Sequence, residues 1–86
     1  MKNSSKNRRL DRIPKQYKQE VVSDLIAIAD KIKKRRKAKG FTQESLAEVL
    51  NIEPTTIQGI EQMRGRPSLE LLLAIVKVLE MKITLQ

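Results

Sequence analysis

The stretch from Thr42 to Ile60 constrains this chain more than any other. Thr42 is placed to accept hydrogen bonds from the first free amides of a helix, and Leu46, Ala47 and Leu50 then fall on one face of Gln43–Leu50. Asn51 follows, a residue that tolerates a positive φ better than most residues other than glycine. Pro54 suits the first turn of another helix, where its missing amide costs nothing. Ile57 and Ile60 supply the inward face of that helix, which runs to about Gln62. Ala47 is small where the two short helices cross, and Leu46, Leu50, Ile57 and Ile60 lock their angle, so packing makes the unit rigid.

Upstream, Tyr17, Val21, Leu25, Ile28 and Ile32 recur at helical spacing, which predicts one buried face on a helix ending near Lys39. Gly40 closes it as a left-handed C-terminal residue. Two starts are open, one at Pro14 and one capped by Ser23–Asp24. Met1–Arg12 holds almost nothing apolar and reads as a disordered arm. Downstream, Met63–Pro67 breaks the third helix, and Ser68 caps a fourth over Leu69–Leu79. Leu72, Ile75, Val76 and Leu79 form its buried stripe, with Glu70 near the positive end of its dipole. Met81, Ile83 and Leu85 alternate with polar residues, the pattern of one short strand with unpaired edges. The expected organisation is a basic arm over 1–20, a helical domain over 21–80 and a strand over 81–86.

Eighty-six residues allow one domain and a tail. With one Phe, one Tyr and no Trp the core must be aliphatic, and a second copy would help to stabilise it. The absence of Cys excludes a disulfide framework and thiolate metal sites. No apolar run approaches the roughly 20 residues that span a bilayer, so a soluble, cytoplasmic protein with no membrane partner is expected. An enzyme is set aside: His and Cys are absent, there is no glycine-rich phosphate loop, and the acids Asp24, Asp30, Glu44, Glu48, Glu53, Glu70 and Glu80 are scattered over helix surfaces. No cofactor is expected. The net charge of +8 suits a polyanionic partner. It is concentrated in residues 1–20, with seven basic and two acidic side chains, and in Lys31–Lys39, with seven basic positions out of nine. Single-stranded nucleic acid fits poorly, because such binding leans on aromatic stacking.

The chain resembles the phage lambda Cro and repressor family, also called the XRE family. Thr42-Gln43-x-x-Leu46-Ala47, Ile52-x-x-x-Thr56-Ile57-x-x-Ile60-Glu61 and Pro67-Ser68-Leu69 carry the likeness, joined by Ile32, Arg36, Gly40, Leu50, Leu72, Ile75 and Leu79 at the family's spacings over about Leu25 to Met81. It implies an all-α, lambda-repressor-like domain of four to five helices with a helix-turn-helix. The third helix would enter the major groove of double-stranded DNA while the second crosses the backbone.

By that resemblance Pro54, Thr55, Gln58 and Gly59 face base edges, and Thr56 lies near the backbone. Gln43 contacts phosphate and braces the recognition helix, and Arg64 and Arg66 grip the flanking phosphates. Lys33, Lys37 and Lys39 could add to that grip. Arg36 and Glu61 form a structural ion pair that also aims Arg36 toward phosphate. The sequence departs from many relatives at Pro54 and Gly59, neither of which can form the bidentate bonds that read a purine. Gln58 can pair with adenine, and Pro54 and the Thr55 methyl can pack on thymine methyls, which implies an A·T-leaning site read partly by shape. Arg35 stands where relatives carry an apolar residue and has no account at this level. The arm Lys2–Lys18 could track phosphate, enter a minor groove or touch a partner protein.

The close Val78-Leu79-Glu80-Met81-Lys82-Ile83-Thr84-Leu85 is similar to that of HipB-type antitoxins. This implies a homodimer paired through Lys82, Ile83, Thr84 and Leu85, reading an inverted-repeat operator and repressing its own operon. It also implies a HipA-like serine/threonine kinase toxin as a second partner. The alternative is an XRE-family regulator with no toxin partner.

Overall fold

The computed structural model describes residues 12–82. Among these residues four helices follow one another: α1 Lys15–Ala38, α2 Gln43–Leu50, α3 Pro54–Glu61 and α4 Leu69–Val78. No strand occurs among the described residues. Of the expected C-terminal strand, Met81 and Lys82 carry no regular structure, while Ile83, Thr84 and Leu85 lie outside the described residues. Among the described residues no helix is long and apolar enough to cross a membrane.

Pro14, not Ser23, begins α1: its carbonyl accepts from the Tyr17 amide at 2.9 Å, and it offers no side-chain cap. The expected arm boundary at residue 20 therefore falls inside a continuous helix of about 36 Å. The expectation for its buried face holds only in part. Tyr17 is 53% exposed, Val21, Leu25 and Ile28 are half-buried, and the first fully buried residue is Ala29. The periodicity is helical all along, but no described element packs over the first three turns, so that stripe stays partly in water.

The short helices are well bounded. Thr42 Oγ1 accepts from the Ser45 amide and Ser45 Oγ accepts from the Thr42 amide, both at 2.9 Å, a reciprocal cap with serine in the third position. Ser68 caps α4 by accepting from the Leu71 amide at 3.1 Å. All four helices end in the same way. A residue with positive φ lets the amide of the next residue reach back five positions, as in Phe41 to Arg36, Ile52 to Ala47, Arg64 to Gly59 and Met81 to Val76. Only the first of these turns uses glycine, Gly40 at φ 84; the others place Asn51, Met63 and Glu80 at φ 58, 65 and 54.

The core is aliphatic. Ile32 from α1, Leu46 and Ala47 from α2, Ile57 and Ile60 from α3, and Ile75 and Leu79 from α4 form one buried cluster, with Phe41, Leu50 and Leu72 packed partly against it. The contact between α2 and α3 is the most extensive of any helix pair. Ala47, 1% exposed, stands at that crossing, where a larger side chain would force the helices apart.

Candidate nucleic-acid interface

Because Ile57 and Ile60 point into the core, the helical period turns Thr55, Gln58 and Gly59 outward on α3. Thr55 is exposed, and Pro54, Thr56, Gln58 and Gly59 are half-buried. The same face continues to Gln62, exposed at the C-cap, which the sequence analysis did not single out. The signal was there in the spacing of 55, 58 and 62. This ridge carries hydroxyl, amide and small groups and no charge until Glu61, which turns inward.

At Gly59 the ridge meets the loop that follows α3. Its carbonyl accepts from the amides of Arg64 at 2.8 Å and Gly65 at 3.1 Å, so the loop after α3 folds back along it. A Cβ on Gly59 would lie 3.8 Å from the Gly65 nitrogen, an ordinary contact.

Three elements meet at the Glu61 carboxylate. Arg36 Nε donates to Oε2 at 2.7 Å and Nη2 to Oε1 at 3.1 Å, while Gln43 Nε2 donates to Oε1 at 3.1 Å. Arg36 Nη1 also donates to the Phe41 carbonyl at 2.9 Å. The ion pair is buried, with side chains 7% and 2% exposed, and no buried side-chain polar atom among the described residues lacks a partner. Each of the three Arg36 nitrogens is thus engaged, two with α3 and one with the turn before α2. Gln43 remains able to do both jobs, since its amide nitrogen has a second hydrogen left over from the bond to Glu61.

The basic side chains separate into two groups. Lys34 pairs with Asp30 at 3.0 Å and Lys39 with Glu80 at 2.6 Å, so both ammonium groups have a carboxylate partner. The Lys39 ammonium, through a hydrogen bond and then its charge, holds the Glu80 carboxyl below its ordinary pKa. Arg35 now has an account. Its Nε donates to the Leu79 carbonyl at 2.8 Å, satisfying an acceptor left over at the end of α4. Sequence spacing could not reveal a partner 44 residues away. Arg66 is half-buried and donates to the Met63 and Gly65 carbonyls at 3.3 Å, holding the loop. The side chains of Arg64, Lys33 and Lys37 are exposed, with no hydrogen bond or ion pair of their own among the described residues. No cluster of acidic side chains there could hold a metal ion.

Two short helices crossing at a small residue, with an outward polar face on the second and basic side chains around it, define a helix-turn-helix DNA-binding protein. The family comparison agrees. Residues 32–86 match the Helix-turn-helix family, and the chain belongs to it, as a member of the Cro/repressor (XRE) type of DNA-binding regulator. No curated protein and no solved structure matches the chain. More than two thirds of α1, from Lys15 to Lys31, lies outside the matched residues.

Proposed function

We propose that this protein is a sequence-specific repressor that binds double-stranded DNA as a homodimer on an inverted repeat. One observation carries the reading: the uncharged outer face of α3 sits on a unit held at a fixed angle by the Arg36–Glu61–Gln43 junction. Thr55 and Gln58 read base edges, with Pro54 and Gly59 providing close apolar approach. Gln43, Thr56, Arg64 and Arg66 meet phosphate, where they set affinity without choosing sequence. Arg36 acts through Glu61 by positioning α3.

Selection of bound duplexes from a random library at moderate salt tests this. An enriched inverted repeat with half-sites about one helical turn apart is the expected result. Binding without any motif, vanishing as salt rises, would overturn it. The narrower reading, an antitoxin that also binds a HipA-like kinase, is supported only by the Val78–Leu85 resemblance. Its test is capture by the tagged full chain of a kinase encoded beside its gene, and failure leaves the regulator without a toxin partner.

A further inference from the structure

A hollow lies on the side of α1 that turns away from α3. Lys31, Lys34, Arg35 and Ala38 stand at i, i+3, i+4 and i+7 and so share one face of the helix. At about 100° per residue, that face is centred about 150° round α1 from Arg36, whose guanidinium reaches α3. Met81 and Lys82, just after α4, come up beside it, and together these residues line a groove of about 430 Å³. The lining is mostly carbon, from Ala38, Met81 and the methylene stems of the basic residues. The rim is cationic. Lys31 and Lys82 are exposed, and their side chains make no hydrogen bond or ion pair among the described residues. Arg35 spends Nε and Nη2 on the Leu79 and Glu80 carbonyls and keeps Nη1 unbonded. The acid of the lining, Glu80, is already paired with Lys39 at 2.6 Å.

We propose that this groove is a docking site for an acidic peptide segment of a partner protein, one in which Asp or Glu flanks a leucine-sized apolar side chain. Each half of that description has its own cause. A bare anion gains nothing from carbon, whereas an apolar side chain seated there leaves water. The uncommitted cations of Lys31, Arg35 and Lys82 favour carboxylates beside that side chain and disfavour a basic partner. Duplex DNA is the poorer occupant. Its phosphates bring no apolar group to the lining, and a duplex lying on α3 approaches from the opposite side of α1. A second copy of this chain, at +8, brings the wrong charge. The site goes beyond the repressor reading and does not depend on it. Peptide and operator occupy different faces, so a protein carrying such a segment is brought to DNA without competing for it.

Titration of the isotope-labelled full chain with the peptide Asp-Asp-Leu-Leu-Asp-Asp, followed by amide NMR shifts, tests this. Saturable binding with a Kd below about 1 mM is expected, with shifts at Lys31, Lys34, Arg35, Met81 and Lys82 and none on α3. Absence of saturation, or shifts centred on α3, would overturn the site. Serine in place of both leucines of the peptide should weaken binding about tenfold, the worth of one leucine leaving water; equal binding would reduce the groove to a charged surface and refute docking. Lys31→Gln/Lys34→Gln should weaken binding about fivefold, as the loss of two exposed ion pairs does. Lys33→Gln/Lys37→Gln, the same charge change on another side of α1, should not, and equal losses from the two pairs would mean general attraction to a basic chain. Two further outcomes assign the groove elsewhere and overturn the proposal: peptide uptake only after residues 83–86 are removed gives it to this chain's own end, and displacement by a random-sequence duplex that shifts the same amides gives it to DNA.

Discussion

Glu61→Ala should cost this domain a large part of its stability, because it strands a buried guanidinium. Arg36 is 7% exposed at its side chain and directs two of its three bonded nitrogens at Glu61. Removing one partner of a buried pair typically costs about 3–5 kcal/mol, against a total of roughly 4–10 kcal/mol for about 70 folded residues. Glu61→Gln should cost less, since it keeps an acceptor and the shape. The double variant Arg36→Met/Glu61→Leu should recover to within about 1 kcal/mol of the parent, as apolar groups of similar volume replace the pair without stranding a charge. Urea unfolding followed by circular dichroism measures all four chains, and repeating it at high salt adds a control, because a pair this buried is little screened. A loss below about 1 kcal/mol for Glu61→Ala, or a double variant as weak as the single, would refute the idea that the junction is a closed, water-excluded lock. The stable double variant should still bind operator more weakly, since Gln43 has lost its acceptor and α3 two of its ties.

Gln58→Ala should relax preference at one base-pair position, read by binding to a panel of single-base operator variants. Arg64→Ala should instead weaken all duplexes alike and flatten the logarithmic salt slope by about one; equal, sequence-independent losses from both would contradict their division of labour. Gly59→Ala should raise stability by about 0.5–1 kcal/mol in a thermal melt, because the added methyl finds 3.8 Å of clearance and the helix gains a better former. The Lys39–Glu80 pair should show in the pH dependence. Glu80 has a lower pKa folded than unfolded, so its contribution is present above the unfolded carboxyl value and fades as pH falls through the folded one. Glu80→Gln should remove that acid-limb component, and an unchanged acid limb would count against the pair.

What could be read without coordinates was whatever rests on local chemistry. Thr42, Asn51, Pro54 and Ser68 act within three or four residues of themselves, so the boundaries of α2, α3 and α4 lay within a residue of their observed places. Ile57 and Ile60 implied the outward face of α3 by simple opposition, although the ridge was followed one residue too short, missing Gln62. What escaped depended on distant partners. Arg35 was anomalous until the end of α4 was seen beneath it, and Lys39 looked like one more free cation until Glu80 claimed it. Tyr17 failed for another reason: periodicity reports which side of a helix is apolar, not whether anything lies against it.

The helix ends carry a consequence of their own. A left-handed residue other than glycine is strained by about 1–2 kcal/mol, and this chain accepts that strain at Asn51, Met63 and Glu80. At two of them glycine would remove more than strain. The Met63 side chain walls a crease between α1 and α4, and the Glu80 carboxylate holds Lys39. Each stop is thus a compromise between backbone ease and a side chain the rest of the fold uses, and the easiest local repair would loosen a neighbour elsewhere.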